Sequence, residues 1–492
     1  MKRMQLKREP NLQVKFKAFD YQQEAFESIK NLPYAAIFHE QGLGKTKIAI
    51  DLVMYWLEKT DIDTVVILTK KQLVHNWEIE FSNHTFMKPS VISDDKKSNF
   101  HVFTGPARVI VTHFETINSE FERYRLFLKT RNIAIIIDES AKIKNPDTKL
   151  TKNLFQLAPM FYRRVIMTGT PVANRPYDIW AQIYFLDLGK SLGADYETFK
   201  KEVDLSNKLN DNKELQQEFQ KNIAQIYKKI EKFCVRETKN SGIISLPQKV
   251  YENVLIDFYP KQLILYNKIR EELKVEMSKN GETIIDDSSA VVKRLLRLVQ
   301  VTSNPRLLDD RYDEVSPKEV KLDDIIKKIL SRKEKCIVWS SFIENINYLC
   351  SKYKEYGAVK IHGGMAIADR NKSVDKFKTD ASKILFATPA SAKEGLTLTM
   401  ANHVIFYDRG FSLDDYLQAQ DRIHRISQTK TCYVYNFIVN GSVDEWIDIL
   451  LKAKQTAAFL VQGDISEQEY SSSIDYSFGE IVKEILNTKV ES

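Results

Sequence analysis

Two kinds of apolar pattern alternate along the first third of this chain. Short runs are apolar at every position in residues 35–38 (Ala35-Ala36-Ile37-Phe38), 65–68, 109–111 and 133–137, and at all but Arg164 in 164–167. Between them, apolar residues recur at steps of three and four, as in Ile48, Ala49, Leu52, Val53 and Trp56. The first pattern predicts strands buried on both faces, and the second predicts amphipathic helices. Together they predict an α/β unit with a parallel sheet covered by helices. Polar residues follow the strands directly: Thr69-Lys70-Lys71, Thr112-His113-Phe114, Asp138-Glu139 and Thr168-Gly169-Thr170-Pro171. They fall at the carboxyl edge of the sheet, where open α/β sheets bind ligands.

The alternation stops in the charged segment 196–235. There Leu215, Phe219, Ile223, Ile226, Ile230 and Phe233 form one stripe, which predicts an amphipathic helix of several turns. A second helical stretch, 262–298, surrounds the polar patch Lys279-Asn280-Gly281-Glu282. Strand patterns resume at 336–339, 359–361, 384–387, 403–407 and 432–435, which predicts a second α/β lobe. Residues 309–321 are charged, carry Ser316-Pro317 and read as a mobile loop before it. Past residue 450, Ile481, Val482, Ile485 and Leu486 make two i,i+4 pairs, as in a docking helix. The expected division is an N-terminal lobe over 1–240 with a helical protrusion at 196–235. A C-terminal lobe over 241–450 carries a protrusion at 262–298, and a helical tail spans 451–492.

At 492 residues the chain exceeds what one core supports, in keeping with that division. Hydrophobic residues at 43% and charged residues at 28% are ordinary for a globular protein, and a net charge of +7 fits a polyanion partner without requiring one. Cys234, Cys336, Cys350 and Cys432 show no Cys-x-x-Cys spacing, which argues for a reducing compartment and against structural zinc. The basic N-terminus lacks the apolar segment of a signal peptide, and no run is long enough to span a membrane. The expectation is a protein of the cytoplasm of a bacterial or virus-infected cell, or of the nucleus in a eukaryote.

Three segments carry candidate chemistry. His39-Glu40-Gln41-Gly42-Leu43-Gly44-Lys45-Thr46 lies between a strand and a helix, as a phosphate cradle requires. Its glycines let backbone N–H groups approach phosphates, and the helix dipole favours the anion. Lys45 would reach the β/γ-phosphates of ATP and Thr46 would hold Mg²⁺. The strict pattern has glycine where this chain has His39. Asp138 and Glu139 end a strand of the same sheet, which suits Asp138 to the metal and Glu139 to the attacking water. In the block 418–428, Gln418, Arg422 and Arg425 would share one helix face, with the two arginines forming an anion fork. Arginines that stabilise a transferring phosphoryl group usually come from outside the cradle.

The order of these segments resembles the Swi/Snf-type ATPases of helicase superfamily two, from about Phe19 to Glu445. Tyr21-Gln22 resembles the glutamine motif that reads adenine, and residues 40–46 the family's phosphate loop. Residues 69–77 resemble motif Ia. Asp138-Glu139-Ser140-Ala141 with Lys144-Asn145 resembles motif II, and residues 168–171 with Asn174 resemble motif III. Val235-Arg236, Leu246-Pro247, Gln262, Tyr266 and the run 295–305 are similar to this family's link region. Gly395-Leu396-Thr397-Leu398-Thr399 resembles motif V, and the 418–428 block resembles motif VI with its arginine fingers.

The resemblance implies two RecA-like lobes with parallel sheets and helical protrusions between motifs III and IV. It implies ATP and Mg²⁺ as cofactors, with Tyr21, Gln22, Gly42, Leu43, Gly44, Lys45, Thr46, Gly395 and Gln418 around the nucleotide. It further implies a monomeric motor on double-stranded DNA, gripping phosphates without sequence preference. Thr69, Lys70, Thr112 and Thr388, at strand ends, are the candidate DNA contacts. No targeting module is evident, so targeting would come from a partner protein, from the short tail or from DNA shape. Four places depart from the family: Ala141 replaces a histidine, Thr397 an asparagine, Phe411-Ser412-Leu413 a Trp-Asn-Pro turn and Ser427 a glycine. The alternatives to a translocase are a strand-separating or annealing helicase, and a DNA clamp with weak turnover.

Overall fold

Every run that is apolar on both faces becomes a strand with neighbours in parallel register. The computed structural model describes residue 6 and residues 9–172, 174–204, 213–241, 246–279, 289–379, 381–392, 397–425 and 427–472. They fall into two compact units. One draws on Met1–Asp204, Glu218–Ile244 and Ala458–Glu467, the other on Leu205–Gln217, Ser245–Ala457 and Gln468–Ser492.

The first unit holds strands β1 (Tyr34–Ile37), β2 (Thr64–Thr69), β3 (Ser90–Ile92), β4 (Val109–His113), β5 (Ile133–Asp138), β6 (Arg163–Met167) and β7 (Cys234–Val235). Their order is β3-β4-β2-β5-β6-β1-β7, and every pairing is parallel. Residues 133–137 of β5 are fully buried, as a strand covered on both faces must be. Each of its isoleucines contributes roughly 1.5–3 kcal/mol through that burial. The helix Lys45–Lys59 lays Ile48, Val53 and Trp56 on the sheet beside Ile136 and Val165. This order makes β5, β6 and β1 consecutive. The phosphate loop follows β1, the acid pair closes β5 and the 168–171 turn follows β6, so all three share one sheet edge.

The second unit holds β8 (Lys249–Ile256), β9 (Cys336–Trp339), β10 (Val359–Ile361), β11 (Ile384–Ala387), β12 (His403–Phe406) and β13 (Cys432–Val439), in the order β10-β11-β9-β12-β13-β8. These pairings are also parallel. The apolar pattern does not announce β3, β7 or β8. The first two are three and two residues long, and β8 is an edge strand whose Tyr251 and Leu255 are exposed. The charged stripe becomes the helix Lys213–Ile230, with Phe219, Ile223, Ile226 and Ile230 buried and Phe233 in a short turn beyond it. The stretch at 262–298 is two helices, Pro260–Lys279 and Ser289–Ser303. The expected tail helix at 481–486 lies outside the described residues.

The expected mobile loop at 309–321 is corrected. Its second half opens the helix Pro317–Ser331, with Ser316 Oγ accepting from Glu319 N at 3.2 Å and Pro317 at the first position. Lys318 is fully buried there, and its Nζ lies 2.6 Å from Asp444 Oδ2. Asp444 also accepts from Thr302 Oγ1 at 3.0 Å and Val439 N at 3.1 Å. A lysine of a charged stretch is thus interior, because it meets a carboxylate that also accepts two further hydrogen bonds.

All four cysteines are free, and Cys234, Cys336 and Cys432 are buried. No described helix is long and apolar enough to cross a membrane.

Removing one partner of the Lys318–Asp444 pair strands a buried charge. Asp444→Ala is expected to cost about 3–5 kcal/mol. Urea unfolding of the single variant, beside Lys318→Met/Asp444→Leu, checks this, and the apolar double variant recovers part of the loss.

Candidate active site

The phosphate loop leaves β1 at Ile37 and ends where Gly44 caps the helix Lys45–Lys59. Gly42 (φ 86°) and Gly44 (φ 69°) are left-handed, a conformation that glycine adopts without strain. At Gly44 a Cβ would also lie 2.2 Å from Gln22 Nε2. Tyr21 and Gln22 brace the loop from beneath. Tyr21 Oη donates to Leu43 O at 3.0 Å and Gln22 Nε2 to the same oxygen at 3.3 Å, while Gln22 Oε1 accepts from Phe19 N at 3.1 Å. Lys45 Nζ donates to His39 O at 2.9 Å and to Glu40 O at 3.2 Å, which holds the ammonium over the loop's own carbonyls. Thr46 is the second residue of the helix.

Arg236, just past β7, has a site role that its place in the link region did not reveal. Its Nη1 donates to Phe38 O at 2.7 Å, and its Nε donates to Asp464 Oδ1 at 2.6 Å; Nη2 pairs with Asp464 Oδ2. The same segment takes the loop backbone in parallel pairing, with Phe38 N on Val235 O and Glu40 N on Glu237 O, each at 2.8 Å. His39 is buried under these groups and stacks on Tyr21 at 6.1 Å. Burial first, then the charges on Lys45 and Arg236, hold its pKa down to about 3, so the imidazole is neutral.

Asp138 ends β5, and its Oδ2 accepts from Thr69 Oγ1 at 3.0 Å and Trp77 Nε1 at 2.9 Å. Burial, and next the charge of Glu139, push its pKa up to about 6 against those two donors. Glu139 has φ 58°, a left-handed conformation that costs a non-glycine residue about 1–3 kcal/mol and is retained where the surroundings fix it. Its carboxylate lies 4.0 Å from Lys70 Nζ. Ser140 is buried and donates to Gln182 Oε1 at 2.7 Å. The 168–171 turn packs directly on the loop: a Cβ at Gly169 would lie 2.5 Å from Gln41 Cγ and 3.3 Å from Lys45 Nζ.

In the second unit the shared helix face is corrected. The helix Leu413–Gln420 stops before Arg422. Arg422 N turns to Ala419 O at 3.4 Å, and the carbonyls of Arg422 and Ile423 accept from Leu398 N (3.0 Å) and Gln428 Nε2 (2.9 Å). Arg422 is 2% exposed, whereas Arg425 is half-buried. Arg425 Nη1 donates to Thr397 Oγ1 at 2.7 Å and Nε to Asp421 O at 3.3 Å. Gln418 is buried and donates to Asp414 Oδ1 at 2.6 Å. Gly395 lies outside the described residues. Ser427 Oγ and Thr399 Oγ1 are hydrogen-bonded at 2.9 Å.

The candidate DNA contacts divide. Thr69 and Thr112 are corrected: both are fully buried, Thr69 bonded to Asp138 and Thr112 to Ile92 O at 3.1 Å. Each is still inside its strand, so the hydroxyl serves the sheet. Lys70 is half-buried beside Glu139, and Thr388 lines a cavity with Ser341, Arg409, Ser412 and Tyr416.

The family described as SNF2-related domain matches residues 30–307, more than half of the 492 residues. The chain belongs to the SNF2-related family. The helicase conserved C-terminal domain matches residues 319–427. One SNF2-type relative is the putative ATP-dependent helicase/translocase YwqA of Bacillus subtilis, 26% identical over 442 residues, covering 86% of this chain and 46% of that protein. Another is the chromatin structure-remodeling complex subunit snf21 of Schizosaccharomyces pombe, at 27% over 450 residues, 84% of this chain and 36% of the relative. An uncharacterized ATP-dependent helicase of Mycoplasma pneumoniae is 25% identical over 454 residues, 89% of this chain and 41% of the relative. The chain thus spans less than half the length of these relatives. A solved Sulfolobus solfataricus SWI2/SNF2 ATPase core in complex with dsDNA is 25% identical, with 96% of this chain and 99% of that one covered and a TM-score of 0.43.

The neutral His39 in this SNF2-type loop sets a pH dependence. The unfolded chain binds its proton near the ordinary value of 6.5, and the folded chain only near 3. This component of stability is therefore complete above about pH 6.5 and is lost as pH falls toward 3, at roughly 1.4 kcal/mol per pH unit at most. Unfolding titrations of the parent and His39→Asn at stepped pH are expected to diverge through that window, with the parent losing stability faster.

Proposed function

We propose that this chain is an ATP-driven motor that moves along double-stranded DNA. The observation that carries the reading is the meeting of phosphate loop, 168–171 turn and acid pair at the ends of three consecutive parallel strands. Phosphoryl transfer asks a protein mostly to position groups and stabilise charge, and this edge supplies both. Lys45 binds the β/γ-phosphates, and the N-terminus of its helix adds its dipole. Thr46 and Asp138 are the residues that would hold Mg²⁺. Both hydrogen-bond donors to Asp138 fall on Oδ2, which orients the carboxylate and leaves Oδ1 for a cation. Mg²⁺ at that position supplies charge neutralisation at the phosphate oxygens. Glu139 orients the attacking water and takes its proton, and its fixed left-handed backbone aims the carboxylate.

Arg425, held by a hydroxyl and a carbonyl rather than sealed in the interior like Arg422, is the better finger for charge on the transferring phosphoryl group. Translocation along duplex DNA, with grip on phosphates and no sequence preference, follows the resemblance in motif order and the helicase/translocase relatives. A protein partner supplies targeting.

ATP turnover is expected to rise more with duplex DNA than with single strands or RNA, and to fall as salt rises. A triplex-displacement assay beside a forked-duplex unwinding assay is expected to show displacement without unwinding. Lys45→Ala and Glu139→Gln each abolish turnover. Arg425→Ala lowers kcat about 10³-fold or more while nucleotide binding stays within a few-fold. Parent-like turnover in Arg425→Ala would remove the finger assignment, and turnover indifferent to DNA would remove the motor.

A further inference from the structure

The acid pair and the 168–171 turn follow adjacent strands. A buried side chain joins them. Gln182, on the helix Trp180–Asp187, is fully buried. Its Oε1 accepts from Ser140 Oγ at 2.7 Å, one residue past Glu139. Its Nε2 donates to Pro171 O at 2.8 Å and to Asp178 O at 2.9 Å. All three bonds need one orientation of the amide, because a flipped amide would set carbonyl against carbonyl at Pro171 and Asp178. Pro171 closes the turn whose Gly169 leaves no space for a Cβ against Gln41 and Lys45. A continuous path of contacts therefore runs from Glu139 through Ser140, Gln182 and Pro171 to the lysine of the phosphate loop.

Two further bonds brace the path. Asp178 Oδ2 takes Lys144 Nζ at 3.1 Å from the acid side and Asn174 N at 3.2 Å from the turn side. Ala141, which carries only a methyl group, cannot hydrogen-bond across this gap, whereas the Ser140 hydroxyl does.

We infer that Gln182 and Ser140 are positioning residues that fix the Glu139 carboxylate relative to Lys45, so that the water-activating group and the phosphate cradle move as one body. The inference rests on the ATPase reading of this edge and adds two residues that neither touch the nucleotide nor belong to the loop. A buried, fully satisfied polar pair of this kind specifies one arrangement of the groups it connects. Misplacement of a catalytic group by about 1 Å costs up to 10²-fold in rate.

The test compares the parent chain with Ser140→Ala, Gln182→Leu and the double variant. Turnover is measured with saturating duplex DNA and expressed per nucleotide-binding site, alongside the ATP dissociation constant and thermal unfolding. Each single variant is expected to lose about 10- to 100-fold in kcat with ATP affinity within about twofold of the parent. The double variant is expected to lose no more than the worse single one, because both changes cut the same link. Its melting temperature is expected to recover part of the single-variant loss, since an apolar pair leaves fewer stranded polar groups, while kcat stays low. A merely structural pair would show the reverse, with kcat per binding site near the parent's in every variant that folds; that result, or losses that multiply in the double variant, overturns the inference. A parent chain without DNA-stimulated turnover removes the ATPase reading and this inference together. A parent with turnover and unaffected variants removes this inference alone.

Discussion

A phosphate loop is a stretch of backbone that cannot satisfy itself. Between Ile37 and Lys45 the chain belongs to neither sheet nor helix, and its glycines curl carbonyls away from any ladder. Yet buried carbonyl and N–H groups need partners. Here the partners come from outside. Arg236 covers Phe38 O, Lys45 covers His39 O and Glu40 O, and Tyr21 with Gln22 covers Leu43 O. The strand segment after β7 pairs with Phe38 N and Glu40 N. The cradle is therefore shaped before any phosphate arrives, and the groups that shape it are drawn from three separated parts of the chain. The rest of the first unit can be seen as the scaffold that brings them together.

The electrostatics follow from the same burial. The loop gathers two cations, Lys45 and Arg236, around an imidazole, and the next strand end but one gathers two carboxylates. His39 responds by staying neutral, its pKa held down to about 3 by burial first and then by the charges on Lys45 and Arg236. Asp138 responds in the opposite sense, its pKa pushed up to about 6 by burial and by Glu139. Arg236 is relieved by Asp464, and Glu139 has Lys70 at 4.0 Å.

The sequence displays this site unevenly, and the reason is distance along the chain. Strand, glycine turn and helix start are consecutive, so Gly42, Gly44, Lys45 and Thr46 are legible as a unit, and so is an acid pair that closes an apolar run. Parallel strands buried on both faces are legible for the same local reason. Thr69 is misread because the pattern marks where a strand's apolar run stops but not where its pairing stops; the residue remains in the sheet and turns its hydroxyl to Asp138. Arg236 and Asp464 are 228 positions apart, and nothing in either neighbourhood signals the other. Ser140 and Gln182 are hidden likewise: one lies in the motif where attention falls on Ala141, the other on a helix whose remaining buried residues read as core. Lys318 fails in the opposite direction, since charge alone suggested solvent.

The arginine block shows how a tertiary contact can overrule a helical period. Residues 418, 422 and 425 have the spacing of one face, but the helix ends at Gln420: Asp421 N still bonds Leu417 O at 3.1 Å, Arg422 N turns to Ala419 O at 3.4 Å, and beyond the break the Arg422 and Ile423 carbonyls take Leu398 N and the Gln428 amide. The two arginines end in different settings. Arg422 is packed into the interior. Arg425 is left half-buried on a tether of neutral acceptors, the Thr397 hydroxyl and the Asp421 carbonyl. The Thr397 hydroxyl thus helps to set the direction of the Arg425 guanidinium.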